Sequence, residues 1–315
     1  MNDIDILVTA PLPRFLKDPL WADYRCHDYA GAADRDALLE RVGPSVRGLV
    51  QGGGTVTPPT LLDSLPSLEI ISVFGVGYDG VPTRYCRERE ILVTNTPDVL
   101  TDDVADVAVA LILMTARNFV QGDRFVRNGE WTKGSLPLAT KLAGKSVGIL
   151  GLGRIGKAIA KRVAAMDMRV AYTGRKLQDV PYRFVPTLAA LAADVEFLVV
   201  ACPGGEGTRH LVDASVLAAL GRKGTLVNIA RGSIVDEAAL VQALADGTIK
   251  AAGLDVFENE PHVPGALLAM DNVVLLPHVG SATHETRKAM ADLCKANLDT
   301  WFADGQVLTL VPELA

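Results

Sequence analysis

A chain of 315 residues is long enough for two medium domains, and its 49% hydrophobic and 22% charged content is that of a globular protein with a real core. Its 31 Lys and Arg against 37 Asp and Glu give a formal net charge of −6, which argues against a nucleic-acid partner, since that usually requires a basic face. The opening MNDIDILVTAPLPRF has no basic stretch leading into a long apolar one, and no window approaches the ~18 uninterrupted apolar residues of a membrane span, so neither a secretory signal nor a membrane partner is expected. Cys26, Cys86, Cys202 and Cys294 are far apart and form no C-x-x-C pair, which favours free thiols in a reducing cytoplasm over a disulfide framework, and no metal site is expected.

Along the chain, short apolar runs bounded by Gly, Pro or Asn alternate with helical spacing. DILVTA (5–10), RGLVQG (47–52), LEIISVFG (68–75) and ILVTN (91–95) read as strands, with helical stretches such as DRDALLERV between them. LTDDVADVAVALILMTARNF (100–119) reads as one long buried helix, with Thr101 or Asp102 as N-cap and Asp102, Asp103 and Asp106 suited to its positive end. A second strand series follows in KSVGILG, MRVAYTG, VEFLVVAC, GTLVNIA, AAGLDVF and NVVLLPH; these runs do not alternate polar with apolar, as expected of interior parallel strands covered on both faces. THETRKAMADLCKANLDTWFADG (283–305) reads as an amphipathic helix that returns to the first lobe. The expected fold is therefore α/β with two Rossmann-like lobes, a central one with a parallel sheet (98–284) inserted into a discontinuous one (1–97 plus 285–315).

GLGRIG (151–156) is a G-x-G-x-x-G that follows an apolar strand and opens a helix over 154–166, the context a dinucleotide site requires. Gly151 permits the sharp turn, Gly153 lets backbone approach a pyrophosphate, and Gly156 lets helix and strand pack closely, while the helix N-terminus offers N–H groups to the phosphates. At the end of the next strand an NAD site places an acid on the ribose hydroxyl; here stand Gly174, Arg175 and Lys176. An acid would repel a 2′-phosphate and an Arg fork matches one, so the expected cofactor is NADP(H), although a solvated basic turn has the same composition.

Further on, Arg231 follows a strand in LVNIARGSIVDEAAL, Asp255 and Glu260 lie in AAGLDVFENEP, and His278 follows a strand in NVVLLPHVGSAT. Ligands of open α/β sheets bind beyond the carboxyl ends of the strands, where these residues fall. Reduction of a 2-keto acid needs a proton donor for the carbonyl oxygen and a fixed cation for the carboxylate. Histidine oriented by a carboxylate suits the first task and arginine the second, so Arg231, Glu260 and His278 are the candidate catalytic set. Singly, an Arg after a strand also reads as a surface ion pair and a Pro-His as a loop histidine.

GLGRIG, VNIARGSIVDEAAL, GLDVFENEP, VVLLPHVGSAT, FGVGYDGVP and VTNTPDVLTDDVAD together resemble the signature segments of the D-isomer-specific 2-hydroxyacid dehydrogenase family, most closely its NADPH-dependent glyoxylate/hydroxypyruvate reductases. The resemblance implies that the central lobe is the dinucleotide-binding domain and the discontinuous one a flavodoxin-like substrate domain. It implies that Arg231 binds the substrate carboxylate and carbonyl, that His278 is the general acid with Glu260 hydrogen-bonded to it, and that the backbone of Val76 and Gly77 receives the carboxylate. It implies cofactor contacts at Thr101, at Gly151, Leu152, Gly153, Arg154, Ile155 and Gly156 of the glycine turn, and at Gly174, Arg175 and Lys176. It extends them to Cys202, Pro203 and Thr208, to Ile229, Ala230 and Arg231, and to Asp255, His278 and Gly280. It further implies a homodimer in which Trp131 reaches the partner's site, although an interface or core anchor is the plainer reading of that residue. The three glycines in VQGGGTVTP (50–58) depart from the plant-type members and leave the substrate side chain open. An NAD-dependent enzyme for another hydroxy acid, such as phosphoglycerate, and a non-catalytic dinucleotide sensor of the corepressor type are the rival readings; formate dehydrogenase chemistry fits the proton donor less well.

Overall fold

The computed structural model describes residues 3–314, and its chain forms two compact units: one runs to Leu100 and resumes at Thr283, the other is Thr101–Ala282. The first unit holds a parallel sheet of β1 (Asp5–Val8), β2 (Arg25–Asp28), β3 (Val46–Gly52), β4 (Ile70–Phe74) and β5 (Leu92–Thr94), in the order β2-β1-β3-β4-β5. That is the flavodoxin-like doubly wound order. The apolar runs supply its buried interior; β2, Arg-Cys-His-Asp, is an edge strand without an apolar run and, among the described residues, pairs only through β1. The helix His284–Asp304 belongs to this unit and lies on β4, where the Ser72 hydroxyl donates to the Cys294 carbonyl at 2.9 Å. Thr283 caps the helix by accepting from the Thr286 N–H, and Gly305 ends it in the left-handed region.

The second unit holds seven parallel strands: β6 (Ser146–Leu150), β7 (Arg169–Thr173), β8 (Arg183–Phe184), β9 (Phe197–Val200), β10 (Thr225–Asn228), β11 (Ala251–Leu254) and β12 (Val273–Leu275). Their order is β12-β11-β10-β9-β6-β7-β8, a doubly wound sheet that reverses direction between β6 and β9, where such sheets bind ligands. β9, β10 and β11 are buried at every position, as runs without polar/apolar alternation predict. The helix expected over 100–119 is Thr101–Arg117; it ends where Asn118 adopts a left-handed conformation (φ 53°), which Asn tolerates better than most residues, and a second helix, Phe119–Arg127, follows. The first of these packs on the sheet through β11 and rests so closely there that a Cβ on Gly253 would lie 3.0 Å from that of Leu111. Among the described residues no helix is long and apolar enough to cross a membrane.

Candidate active site

The glycine turn follows β6 directly, at the point where the strand order reverses. Gly151 has φ 96°, and a Cβ there would fall 2.7 Å from Cys202 N and Cα, so the turn lies against the backbone that leaves β9. A Cβ on Gly156 would fall 2.2 Å from the Gly151 carbonyl oxygen, which keeps the helix Arg154–Ala165 tight against the strand. Gly153 differs from both: it is extended, no atom lies within 4 Å of its would-be Cβ, and no side chain caps the helix that starts after it. Two glycines therefore serve the packing of the turn, and the third leaves a helix N-terminus open to an incoming group. Leu152 is buried in this turn, while Arg154 is exposed. Across from it Thr208 closes the loop after β9 by donating to the carbonyls of Pro203 (3.0 Å) and Gly205 (3.1 Å).

β7 ends at the buried Thr173, and Gly174, Arg175 and Lys176 are exposed immediately after it. No carboxylate stands in that turn. The turn thus presents two cations at the position where dinucleotide sites meet the adenosine ribose.

Three strand ends carry the candidate catalytic residues. After β10, Asn228 shapes the turn with both ends of its amide: Oδ1 accepts from Ala230 N at 3.1 Å and Nδ2 donates to the Arg231 carbonyl at 2.8 Å. Gly232 brings that turn onto the segment after β11 backbone to backbone, since a Cβ there would overlap the Phe257 carbonyl carbon at 1.8 Å. Arg231 is thereby set close enough for its charge to act on Glu260. After β11, Asp255 is buried and its two carboxylate oxygens accept from Val279 N and Gly280 N, each at 2.8 Å, while its carbonyl accepts from His278 N at 2.8 Å. This clamp holds His278 in a left-handed conformation (φ 52°) that a histidine seldom adopts. Its Nδ1 then lies 2.7 Å from Glu260 Oε2, and Glu260 Oε1 accepts from Phe257 N at 3.0 Å. The His278 side chain is 42% exposed, so the ring is pinned on one side and open to solvent on the other.

Electrostatics separate the two carboxylates. Burial pushes the Asp255 carboxyl up, and the two N–H groups it accepts from only partly offset this. Burial acts the same way on Glu260, but the hydrogen bond and charge of His278, the Phe257 N–H and the Arg231 charge together hold it below its usual range. Glu260 is thus the acid that stays ionised against the imidazole, and Asp255 is the acid that fixes the loop.

Val76 and Gly77 lie in the first unit, just past β4. Their loop is held by Asn95, whose amide donates to the Val76 carbonyl at 2.8 Å, and by the Thr96 N–H, which donates to the Gly75 carbonyl at 2.9 Å. The glycine-rich segment packs on the same loop, with a would-be Cβ on Gly75 only 2.9 Å from Gly53 Cα, whereas Gly54 has nothing within 4 Å. Arg287, which no motif of the sequence singles out, stacks over the Phe74 ring at 5.8 Å, and its burial lowers its pKa. Its signal is weak: one of three cations, with Lys288 and Lys295, on a helix that carries as many acids and more. Thr101 begins the first helix of the second unit, Ile229 and Ala230 lead into Arg231, and Trp131 is 68% exposed. Among the described residues no group of three His, Cys, Asp or Glu side chains is placed to hold a metal ion.

Two doubly wound parallel sheets, one of them with a glycine turn feeding a helix at its switch point, define a dinucleotide-binding α/β protein. The family model "D-isomer specific 2-hydroxyacid dehydrogenase, NAD binding domain" matches residues 109–280. Over 99% of its length the chain is 47% identical to the whole of Arabidopsis thaliana glyoxylate/hydroxypyruvate reductase A HPR2, and over 98% of both chains it is 45% identical to 2-ketogluconate reductase of Gluconobacter oxydans. The crystal structure of an NADPH-dependent glyoxylate/hydroxypyruvate reductase from Sinorhizobium meliloti in complex with NADP and malonate superposes with a TM-score of 0.92 at 45% identity, covering 99% of this chain and 98% of that one. The chain belongs to the D-isomer-specific 2-hydroxyacid dehydrogenase family.

Proposed function

We propose that the chain reduces small 2-keto acids, glyoxylate and hydroxypyruvate foremost, to the D-2-hydroxy acids with NADPH. The observation that carries this reading is the 2.7 Å contact between His278 Nδ1 and Glu260 Oε2 beside Arg231. Arg231 grips the substrate carboxylate and draws electron density toward the ketone oxygen. Glu260 holds the imidazolium in place through Nδ1, which leaves Nε2 to give its proton to that oxygen. Val76 and Gly77 offer backbone N–H groups to the carboxylate, which makes the first unit the substrate domain and the second the dinucleotide domain.

The glycine turn takes the pyrophosphate at the open helix end past Gly153, and Arg175 and Lys176 take the 2′-phosphate. NADPH held there supplies the hydride that the carbonyl carbon accepts. Thr101, Cys202, Pro203, Thr208, Ile229, Ala230, Asp255 and Gly280 complete the cofactor site. The relative from S. meliloti, described as NADPH-dependent, and the missing acid after β7 both support this choice.

The protein acts in the cytoplasm, in keeping with its four free thiols, and as a homodimer through the exposed apolar residues around Trp131. A larger 2-keto acid is the second candidate substrate, favoured by the open space at Gly54 and by the similarity to 2-ketogluconate reductase. Initial rates for glyoxylate, hydroxypyruvate, 2-ketogluconate and hydroxyphenylpyruvate with each nicotinamide cofactor test the reading. His278→Ala is expected to lower kcat by about 10²- to 10⁴-fold while NADPH still binds. Undiminished turnover in that variant would overturn the proton-donor role.

A further inference from the structure

The structure ties the two halves of the proposed cofactor site together through a residue that is neither a glycine nor a cation. Four residues, Gly174 to Leu177, separate the end of β7 from Gln178, and all four are exposed. Gln178 is anchored twice. Its backbone N–H donates to the Tyr172 hydroxyl at 2.8 Å, and Tyr172 is fully buried, with its ring 5.3 Å from that of Phe184. Its side-chain Nε2 donates to the Leu152 carbonyl at 2.9 Å, inside the glycine turn. The short loop that carries Arg175 and Lys176 is thus pinned at one end by the sheet and at the other by the turn that would receive the pyrophosphate.

We propose that Gln178 is a positioning residue for NADP(H) selectivity: by bonding to Leu152 it sets the distance and direction between the glycine turn and the Arg175–Lys176 pair. The inference rests on the NADPH reading above. The physical reason is entropic as well as geometric. Two long cationic side chains on a free loop lose much of their binding energy to the ordering of that loop, whereas a loop already anchored at both ends loses less. A cofactor without the 2′-phosphate gains nothing from those cations and is indifferent to the anchor.

Gln178→Met keeps the length of the side chain and removes the donor. It is expected to raise the Michaelis constant for NADPH about tenfold, the equivalent of one charge-assisted contact, with kcat unchanged and the constant for NADH within about twofold of wild type. Tyr172→Phe, which keeps the buried ring and removes the acceptor of the Gln178 N–H, should move the same ratio in the same direction. In an Arg175→Ala background Gln178→Met should add little, since the two residues act through one contact and their effects then fail to add. A wild type without NADPH preference would defeat the cofactor reading itself. A wild type that prefers NADPH and a Gln178→Met that keeps the full preference would defeat this inference alone. Equal losses for both cofactors would also defeat it, by assigning Gln178 to the glycine turn and not to the cations.

Discussion

Three glycines in one turn carry different burdens, and the difference can be measured. Alanine at Gly156 forces its Cβ onto the Gly151 carbonyl, 2.2 Å away, and backbone must shift; a stability loss of about 1–3 kcal/mol is expected. Alanine at Gly153 meets nothing within 4 Å, and its backbone is extended, so the melting temperature should stay as it is. If a pyrophosphate rests there, the same methyl stands in its way, and NADPH affinity by fluorescence titration should drop by tenfold or more, on the order of 1.4 kcal/mol. A Gly153→Ala protein that binds as tightly as wild type would remove the pyrophosphate from this turn. Asp255 allows a second test. Asp255→Ala leaves the N–H groups of Val279 and Gly280 without acceptors, a cost of about 1–3 kcal/mol each where no water replaces the carboxylate, and frees the loop that holds His278 in its left-handed conformation. Activity should therefore fall far more than stability, even though Arg231, Glu260 and His278 are all still present. Wild-type kcat in Asp255→Ala would mean that the clamp does not position the histidine.

The central sheet of the second unit begins with an ionic tie between strands. Glu196, just before β9, accepts from Lys145 Nζ at 2.8 Å and from the N–H and hydroxyl of Ser146 at 2.8 and 2.9 Å at the start of β6. Burial raises its pKa, but these partners outweigh burial and bring it down to about 2. A depressed carboxyl stabilises the fold above its unfolded pKa, near ~4.3, and that contribution disappears as pH falls through the folded value. Wild type should thus exceed Glu196→Gln in stability by on the order of 2 kcal/mol at neutral pH, and urea melts should bring the two together between about pH 4.5 and pH 2. A difference that stays constant across that range would assign it to packing. At this scale the sequence is informative wherever a strand is buried on both faces, because a mainly apolar run without alternation allows little else: β4, β6, β9, β10 and β11 are legible directly. β2 and the two-residue β8 were not, because edge strands take their conformation from a neighbour and carry no pattern of their own. The positions of Arg231, Glu260 and His278 past strand ends could be read, but the devices that aim them could not. Gly232 against Phe257 and Asp255 against Val279 are contacts between segments about 25 residues apart, and Gln178 against Leu152 depends on the path of a loop; no local spacing encodes any of these.

At the scale of the whole molecule, exposed apolar side chains concentrate in the stretch from Phe119 to Leu138. Phe119 is 49% exposed, Val126 55%, Trp131 68% and Leu138 fully, all within twenty residues of sequence. Scattered exposed hydrophobics are ordinary, but several in one short segment are the kind of surface that a partner chain would cover. The proposed homodimer supplies that cover with a second copy of the same stretch, as a two-fold interface requires. Sedimentation velocity over a range of concentrations should find wild type at twice the chain mass, and Leu138→Asp, which would bury a charge in the interface, should shift it toward the monomer. Trp131→Phe separates the two roles open to that tryptophan. Phenylalanine preserves most of the apolar contact, so the dimer should persist; if the indole also reaches the partner's substrate, the Michaelis constant for the keto acid should rise while that for NADPH does not move. Unchanged kinetics in a Trp131→Phe dimer would leave Trp131 as an interface anchor only, and a wild type that sediments as a monomer at micromolar concentration would leave the exposed segment without its proposed occupant.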